Sequence, residues 1–193
     1  DRFINAIKMT IKLLEIEDPF FLATLLTIPG FSELESMFDK VDPRSINKES
    51  LNFKVLIGLE IYQDLIKLYE NALLNINELW PLGKGERKIL GTIWSYLALA
   101  GDKNVKRDCV DSVSNSSMTI SRAALDALKP LDSSETLQAS DQFYNTWKDN
   151  PIVLDSWFAY EASRPSKQGI DIIEKLLSHN KFDWKAPNSI RAV

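Results

Sequence analysis

One cysteine, one histidine and seven glycines in 193 residues already exclude several kinds of protein. A lone Cys109 forms neither an intrachain disulfide nor a cysteine-rich zinc cluster, which fits a reducing compartment or simply a large core; the expected localisation is cytoplasmic. A single His179 cannot supply the two histidines, one helical turn apart, on which a zinc peptidase is built. Glycine at about half its usual share of roughly 7% argues against strands and tight turns. Apolar runs are short. The best candidate, Phe20 to Ile28, stops at Pro29-Gly30, well below the roughly 20 residues that span a bilayer, so the chain is expected to be soluble and to have no membrane partner. Positive charge is also short: Lys+Arg 23 against Asp+Glu 27 gives −4 and no cationic field for nucleic acid. The start, Asp1-Arg2-Phe3-Ile4, has no methionine and no basic segment before an apolar core, so it reads as a cut inside a longer protein rather than a signal peptide. Ala186 to Val193 reads as a helix start with nothing after it, which suggests the same at the other end.

What is present points to helices. Hydrophobic residues at 45% and charged residues at 26% are globular values. Asp18-Pro19, Asp42-Pro43 and Asn150-Pro151 each place an oxygen-bearing cap before a proline that loses only a donor with no partner, which is how helices begin. Between these starts the apolar spacing is three to four residues. The longest stretch runs through Leu51, Val55, Leu59, Tyr62, Ile66 and Tyr69, widened by Ile61, Leu65 and Leu68. Further stripes are Ile89, Ile93, Trp94 and Leu97; Ile120, Ala124, Ala127 and Leu128; Leu137, Phe143, Tyr144 and Trp147; Val153, Trp157 and Tyr160; and Ile170, Ile173, Leu176 and Leu177. No alternating β-branched run is long enough for a strand. The expected fold is all-α. Short polar links such as Asp132-Ser133-Ser134 impose antiparallel neighbours, hence an α-α superhelix, an armadillo- or HEAT-like solenoid, as a single domain over residues 1–193, with a right-handed sense expected from similar arrays. Asn75 to Gly85 is the expected internal loop.

The chemistry-bearing residues are few. His179 with Asp183 could form an acid–imidazole pair or serve structure at a helix end; Cys109 lacks an evident base and reads as buried and inert. Gly83-Lys84-Gly85-Glu86-Arg87-Lys88 resembles a phosphate-cradling turn but lacks both the Walker spacing and a preceding strand. Asn115-Ser116-Ser117 satisfies a glycosylation sequon and equally a helix cap. Lys181-Phe182-Asp183-Trp184-Lys185 mixes rings and cations as single-strand binders do, yet loop packing explains it as well. No Gly-x-Ser-x-Gly elbow occurs.

Several consecutive stretches carry a resemblance. These are Leu25-Leu26-Thr27-Ile28-Pro29, Met37 to Pro43, Ser117-Met118-Thr119 with Ala123-Ala124-Leu125, and then Phe143-Tyr144-x-x-Trp147-x-x-Asn150-Pro151-x-Val153-x-Asp155-x-Trp157-Phe158. Ser163-x-Pro165 and Pro187-Asn188-x-x-Arg191 complete the order. Together they resemble the C-terminal region of the aminopeptidase N family of zinc metallopeptidases, in the subgroup shared by bacteria and apicomplexan parasites. The resemblance implies a four-domain parent. Its substrate-binding and His-Glu-x-x-His zinc motifs would lie upstream, and its last few helices downstream, of residues 1–193. It implies zinc in the parent enzyme and none in this segment, the catalytic domain of the same chain as partner, and peptides as substrates. In such enzymes the helical domain closes over the catalytic domain and encloses a chamber that limits peptide entry.

One site residue follows from it. An arginine of the family's Asn-Pro-Asn-x-x-Arg stretch faces the chamber, and Arg191 stands in that place, with Ala186 for the first asparagine and Ser189 for a frequent arginine. Arg191 is thus expected to bind substrate, the other reading being a pairing with a neighbouring carboxylate. Without the resemblance, the same physics gives a stand-alone α-solenoid adaptor that holds a protein partner in its groove.

Overall fold

In a computed structural model, which describes residues 2–14, 18–74, 83–115 and 117–193, each expected helix start is in place. Asp18 caps the helix Pro19–Leu25 by accepting from the Phe21 N–H (2.8 Å), Asp42 caps Pro43–Glu60 through Arg44 N–H (3.1 Å), and Asn150 caps Pro151–Ser163 through Val153 N–H (3.4 Å). In all three a proline takes the first helical position, where its missing donor costs nothing. No strand occurs among the described residues. The chain divides into two compact units, Asp1–Val105 and Lys106–Val193. Most of the expected loop at 75–85 lies outside the described residues.

Unit 1 contains α1 (Arg2–Leu14), α2 (Pro19–Leu25), α3 (Phe31–Glu35), α4 (Pro43–Glu60), α5 (Tyr62–Leu74) and α6 (Lys84–Leu99). Its core forms around α6, which packs on α2, α4 and α5 through Ile89, Leu90, Ile93, Trp94 and Leu97, each at most 2% exposed. Burying such a side chain stabilises by about 1.5–3 kcal/mol. Close approach is made possible by small residues. A Cβ on Gly58 of α4 would lie 3.0 Å from the Tyr96 carbonyl oxygen, and one on Gly85 would lie 2.7 Å from Pro19 Cγ, so the Gly83–Gly85 turn is a packing surface for α2. The Tyr96 hydroxyl donates to the Leu26 carbonyl (2.5 Å).

The stretch from Leu51 to Tyr69, expected as one helix, is interrupted at Ile61, whose φ of −114° and ψ of 22° leave the helical region. Ile61 still donates to Ile57 and accepts from Leu65, so the chain bends without losing its ladder. Both halves pack on α6. The core edge is therefore Ile57, Ile61, Leu65, Leu68 and Ala72, whereas Leu59 of the expected stripe is 59% exposed.

Unit 2 holds most of α7 (Lys103–Ser112), then α8 (Met118–Leu128), a 3-10 turn at Lys129–Leu131, α9 (Ser134–Trp147), α10 (Pro151–Ser163), α11 (Gly169–Leu177) and α12 (Pro187–Ala192). Successive helices pack in order, α8 on α9, α9 on α10 and α10 on both α11 and α12, as in helical repeats. Two side chains tie links to neighbours: Ser121 donates to the Val113 carbonyl, and Thr136 to that of Leu128 (2.8 Å). Leu137 and Ile170, expected in core stripes, are 50% and 78% exposed because Phe143 and Leu176 already fill those interiors.

Candidate functional site

Arg191 is held in place by the residue two before it. Ser189 is buried on α12 and donates to Asp155 Oδ1 of α10 (2.6 Å), which pins the short last helix to α10. Two residues along a helix turn the side-chain direction by roughly 200°. With Ser189 facing inward, Arg191 points out of the unit, where it is exposed and forms no ion pair among the described residues. Ala192 and Val193 complete the anchoring by packing against the cluster of Leu154, Phe158, Leu176 and Phe182. An exposed guanidinium on a clamped turn can hold a carboxylate or carbonyl group by charge-assisted hydrogen bonds.

His179 lies in the same unit but is committed to structure. Its Nδ1 accepts the Lys181 N–H (3.1 Å), so in the neutral ring Nε2 carries the proton and meets the Tyr144 hydroxyl at 3.2 Å. Edge contacts with Tyr144 and Phe158 enclose the ring, at centroid distances of 5.5 and 5.4 Å. Burial, helped by the Lys181 cation, holds its pKa below the ordinary value. Asp183 is not its partner; Asp183 Oδ1 accepts from Lys185 N–H (2.8 Å). Cys109 is fully buried, and burial beside Asp108 pushes its thiol far up, which leaves no thiolate at neutral pH.

Other motifs settle as packing. Phe182 stacks edge-on against Phe158 and Trp184, and Lys181 Nζ bridges the Lys148 carbonyl and Asp149 Oδ1, both at 2.7 Å. Asn115 Oδ1 accepts the Ser117 N–H (2.8 Å) just ahead of α8. Lys88 Nζ sits 4.1 Å from the centroid of the Phe20 ring and donates to Thr24.

A buried polar network escaped sequence reasoning. Trp157 Nε1 donates to Ser140 Oγ (2.9 Å), Ser140 donates to Glu161 Oε1 (2.5 Å), and Arg164 Nε donates to Glu161 Oε2 (2.8 Å). Trp157, Glu161 and Arg164 border a cavity of about 370 Å³ with Asp132, Lys175 and His179. Both Glu161 oxygens are engaged, and the buried Ser140 hydroxyl is held between the Trp157 N–H it accepts and the carboxylate it donates to, so the network fastens α9 to α10. The one hint in the sequence was the three-residue spacing of Glu161 and Arg164 at the end of a helix.

Among the described residues no three His, Cys, Asp or Glu side chains converge as a metal requires. With both His179 nitrogens engaged and Cys109 buried, these residues do not fit the zinc that the resemblance implies for the parent. What the fold and site define is a helical-repeat domain with one exposed, anchored arginine. A family model described as "Domain of unknown function (DUF3458_C) ARM repeats" matches residues 1–193, and the chain belongs to that family.

Similarity to individual proteins runs the same way. The chain is 26% identical to aminopeptidase N of Haemophilus influenzae over 174 residues, covering 89% of this chain and 20% of that protein. It is 24% identical to aminopeptidase N of Escherichia coli K12, covering 91% and 20% respectively. Its fold matches the crystal structure of Legionella pneumophila aminopeptidase A in complex with aspartic acid with a TM-score of 0.84 at 23% identity, over 99% of this chain and 24% of that one. The chain is thus homologous to the C-terminal region of aminopeptidase N, and it spans about a fifth of the length of the curated relatives it matches.

Proposed function

We propose that residues 1–193 serve as one non-catalytic helical domain of a cytoplasmic zinc-dependent aminopeptidase, closing over the catalytic domain of the same chain and limiting which peptides reach it. The observation that carries this reading is the match of about nine-tenths of the chain to a fifth of aminopeptidase N. The anchored Arg191 supports it, because a substrate contact needs a charge that is exposed and yet fixed in position. In this reading zinc and the reacting groups belong to the catalytic domain. Arg191 binds the C-terminal carboxylate or backbone carbonyls of a peptide.

Such a contact is remote from the reacting bond and equal in ground and transition states, so its loss raises KM more than it lowers kcat. Arg191→Ala in the full-length protein should lower kcat/KM for tri- and tetrapeptides by about 1.5–3 kcal/mol, the scale of a hydrogen bond to a charged group. Single-residue chromogenic amides are too short to reach it and should change little. Equal losses for short and long substrates would assign Arg191 to structure, and a full-length protein without chelator-sensitive aminopeptidase activity would remove the reading altogether.

A further inference from the structure

The cavity of about 370 Å³ in unit 2 is lined by two kinds of side chain. Leu137 of α9, Trp157 of α10, and Ile172 and Leu176 of α11 are apolar. Trp157 is fixed in its place, with Nε1 on Ser140 Oγ and its ring centroid 4.7 Å from that of Tyr144. Asp132, Glu161, Arg164 and Lys175 are charged. Small-molecule sites measure roughly 300–1,000 Å³ and join an apolar lining to a few polar groups. This cavity stands at the low end of that range, which suits a small ligand rather than a docked helix.

Its charged groups do not satisfy one another. The Arg164 side chain is only 10% exposed, yet among the described residues its Nε–H alone finds an acceptor, Glu161. Its Nη1 stands 3.8 Å from Asp132 Oδ1, beyond hydrogen-bond reach. A guanidinium carries further N–H groups on both terminal nitrogens, and desolvating them without acceptors is costly, so a ligand carboxylate there gains charge-assisted hydrogen bonds. Asp132, half exposed, accepts no hydrogen bond among the described residues. Its φ of 45° is left-handed, a conformation aspartate tolerates, and it ends the Lys129–Leu131 turn at the cavity. Lys175 is exposed and forms no ion pair among the described residues. Two carboxylates and two cations leave the lining neutral, since His179 is uncharged at neutral pH. A simple anion would meet Asp132 and Glu161, and a simple cation would meet Arg164 and Lys175; like charges brought together oppose binding. A molecule with both charges and an apolar body meets no such opposition.

We propose that this cavity binds a free α-amino acid with an apolar side chain. The carboxylate lies on Arg164 and Lys175, the ammonium on Asp132, and the side chain on Trp157, Ile172 and Leu137. The proposal does not rest on the function given above.

Photo-crosslinking of the full-length protein tests it, with the diazirine analogue of L-leucine as probe and the labelled positions mapped by peptide mass spectrometry. Label should appear within residues 132–137 and 157–179, which contain the lining, and excess L-leucine should reduce it several-fold. 4-Methylpentanoate, which lacks the ammonium, and isopentylamine, which lacks the carboxylate, should compete several-fold more weakly. Lys175→Gln and Asp132→Asn should each lower the label several-fold; asparagine keeps the left-handed turn. Asp171→Asn, on the same helix as Lys175 but outside the lining, should leave it unchanged. Unfolding midpoints report whether each variant folds, and where one does not, competition in the wild type decides. A cavity without label, or with label that L-leucine does not displace, would overturn the proposal. Equal competition by either singly charged analogue would assign the cavity to a simple anion or amine and overturn it as well. Because label is read by position, an amino acid bound elsewhere on the protein does not enter the result.

Discussion

The two units place their apolar and polar residues in opposite ways. Unit 1 builds an almost wholly aliphatic interior around α6 and still leaves large apolar side chains exposed on each of α1 to α5, among them Phe3, Phe21, Phe31, Leu56 and Leu74. Unit 2 leaves out only scattered ones among the described residues, Leu137, Ile152, Ile170, Trp184 and Ile190, and closes its interior with stacked rings and a buried ion pair. Single exposed apolar residues are ordinary, but a contiguous groove of them is not. Unit 1 keeps an open apolar groove, whereas unit 2 leaves only separate apolar side chains in solvent.

The largest test of that contrast is the buried pair. Arg164→Ala strands Glu161, whose side chain is 11% exposed, and should destabilise the chain by about 3–5 kcal/mol. Lys88→Met in unit 1, where the cation lies over Phe20, should cost less than about 1 kcal/mol. Denaturant unfolding of both variants reads the difference; equal losses would mean that charge matters alike in the two units.

A smaller effect probes a buried polar tie inside the unit 1 core. Tyr96→Phe removes the hydroxyl donated to the Leu26 carbonyl and should cost about 1–3 kcal/mol. Burial also pushes the Tyr96 hydroxyl up to about 12 from 10. The unfolded chain therefore loses this proton first, so stability falls as pH rises from 10 towards 12. Tyr96→Phe should flatten that alkaline limb.

The smallest effect belongs to His179 in unit 2. Its pKa is held below 6.5, so the unfolded state gains a proton before the folded state does. The stabilisation is complete above pH 6.5 and is lost as pH falls through the lower folded value. No second histidine is present, but burial also raises the Asp126 carboxyl, so the His179 share is read as the difference from His179→Phe, whose unfolding midpoints should fall less steeply with pH across this window. An unchanged slope would show that the ring is not held neutral by its surroundings.

Much of the fold was legible because its signals are local. A cap and a proline act within one turn, which is why Asp18, Asp42 and Asn150 mark real helix starts. Stripes were legible where every residue at the three- to four-residue spacing reaches the core, as for Ile89, Ile93, Trp94 and Leu97, all buried. In the Leu51–Tyr69 stretch two adjacent faces are apolar, and spacing cannot say which of them meets α6. The contact of Gly58 with the Tyr96 carbonyl depends on a segment nearly forty positions away. The candidate site divides the same way. Arg191 was found by pattern, but its anchoring by Ser189 and Asp155 spans 34 positions.

By itself, then, the sequence determined that the chain is helical, where most helices begin, and that one histidine and one cysteine cannot supply a disulfide, a cysteine-rich zinc cluster or a two-histidine zinc motif. Only the tertiary structure decided that His179 keeps its proton on Nε2, that Glu161 and Arg164 are buried together, and that Phe38, Phe53 and Leu56 border an open groove instead of a core. Helix formation depends on neighbours within four residues, whereas burial depends on which faces meet, and that is set by packing among elements far apart in the chain.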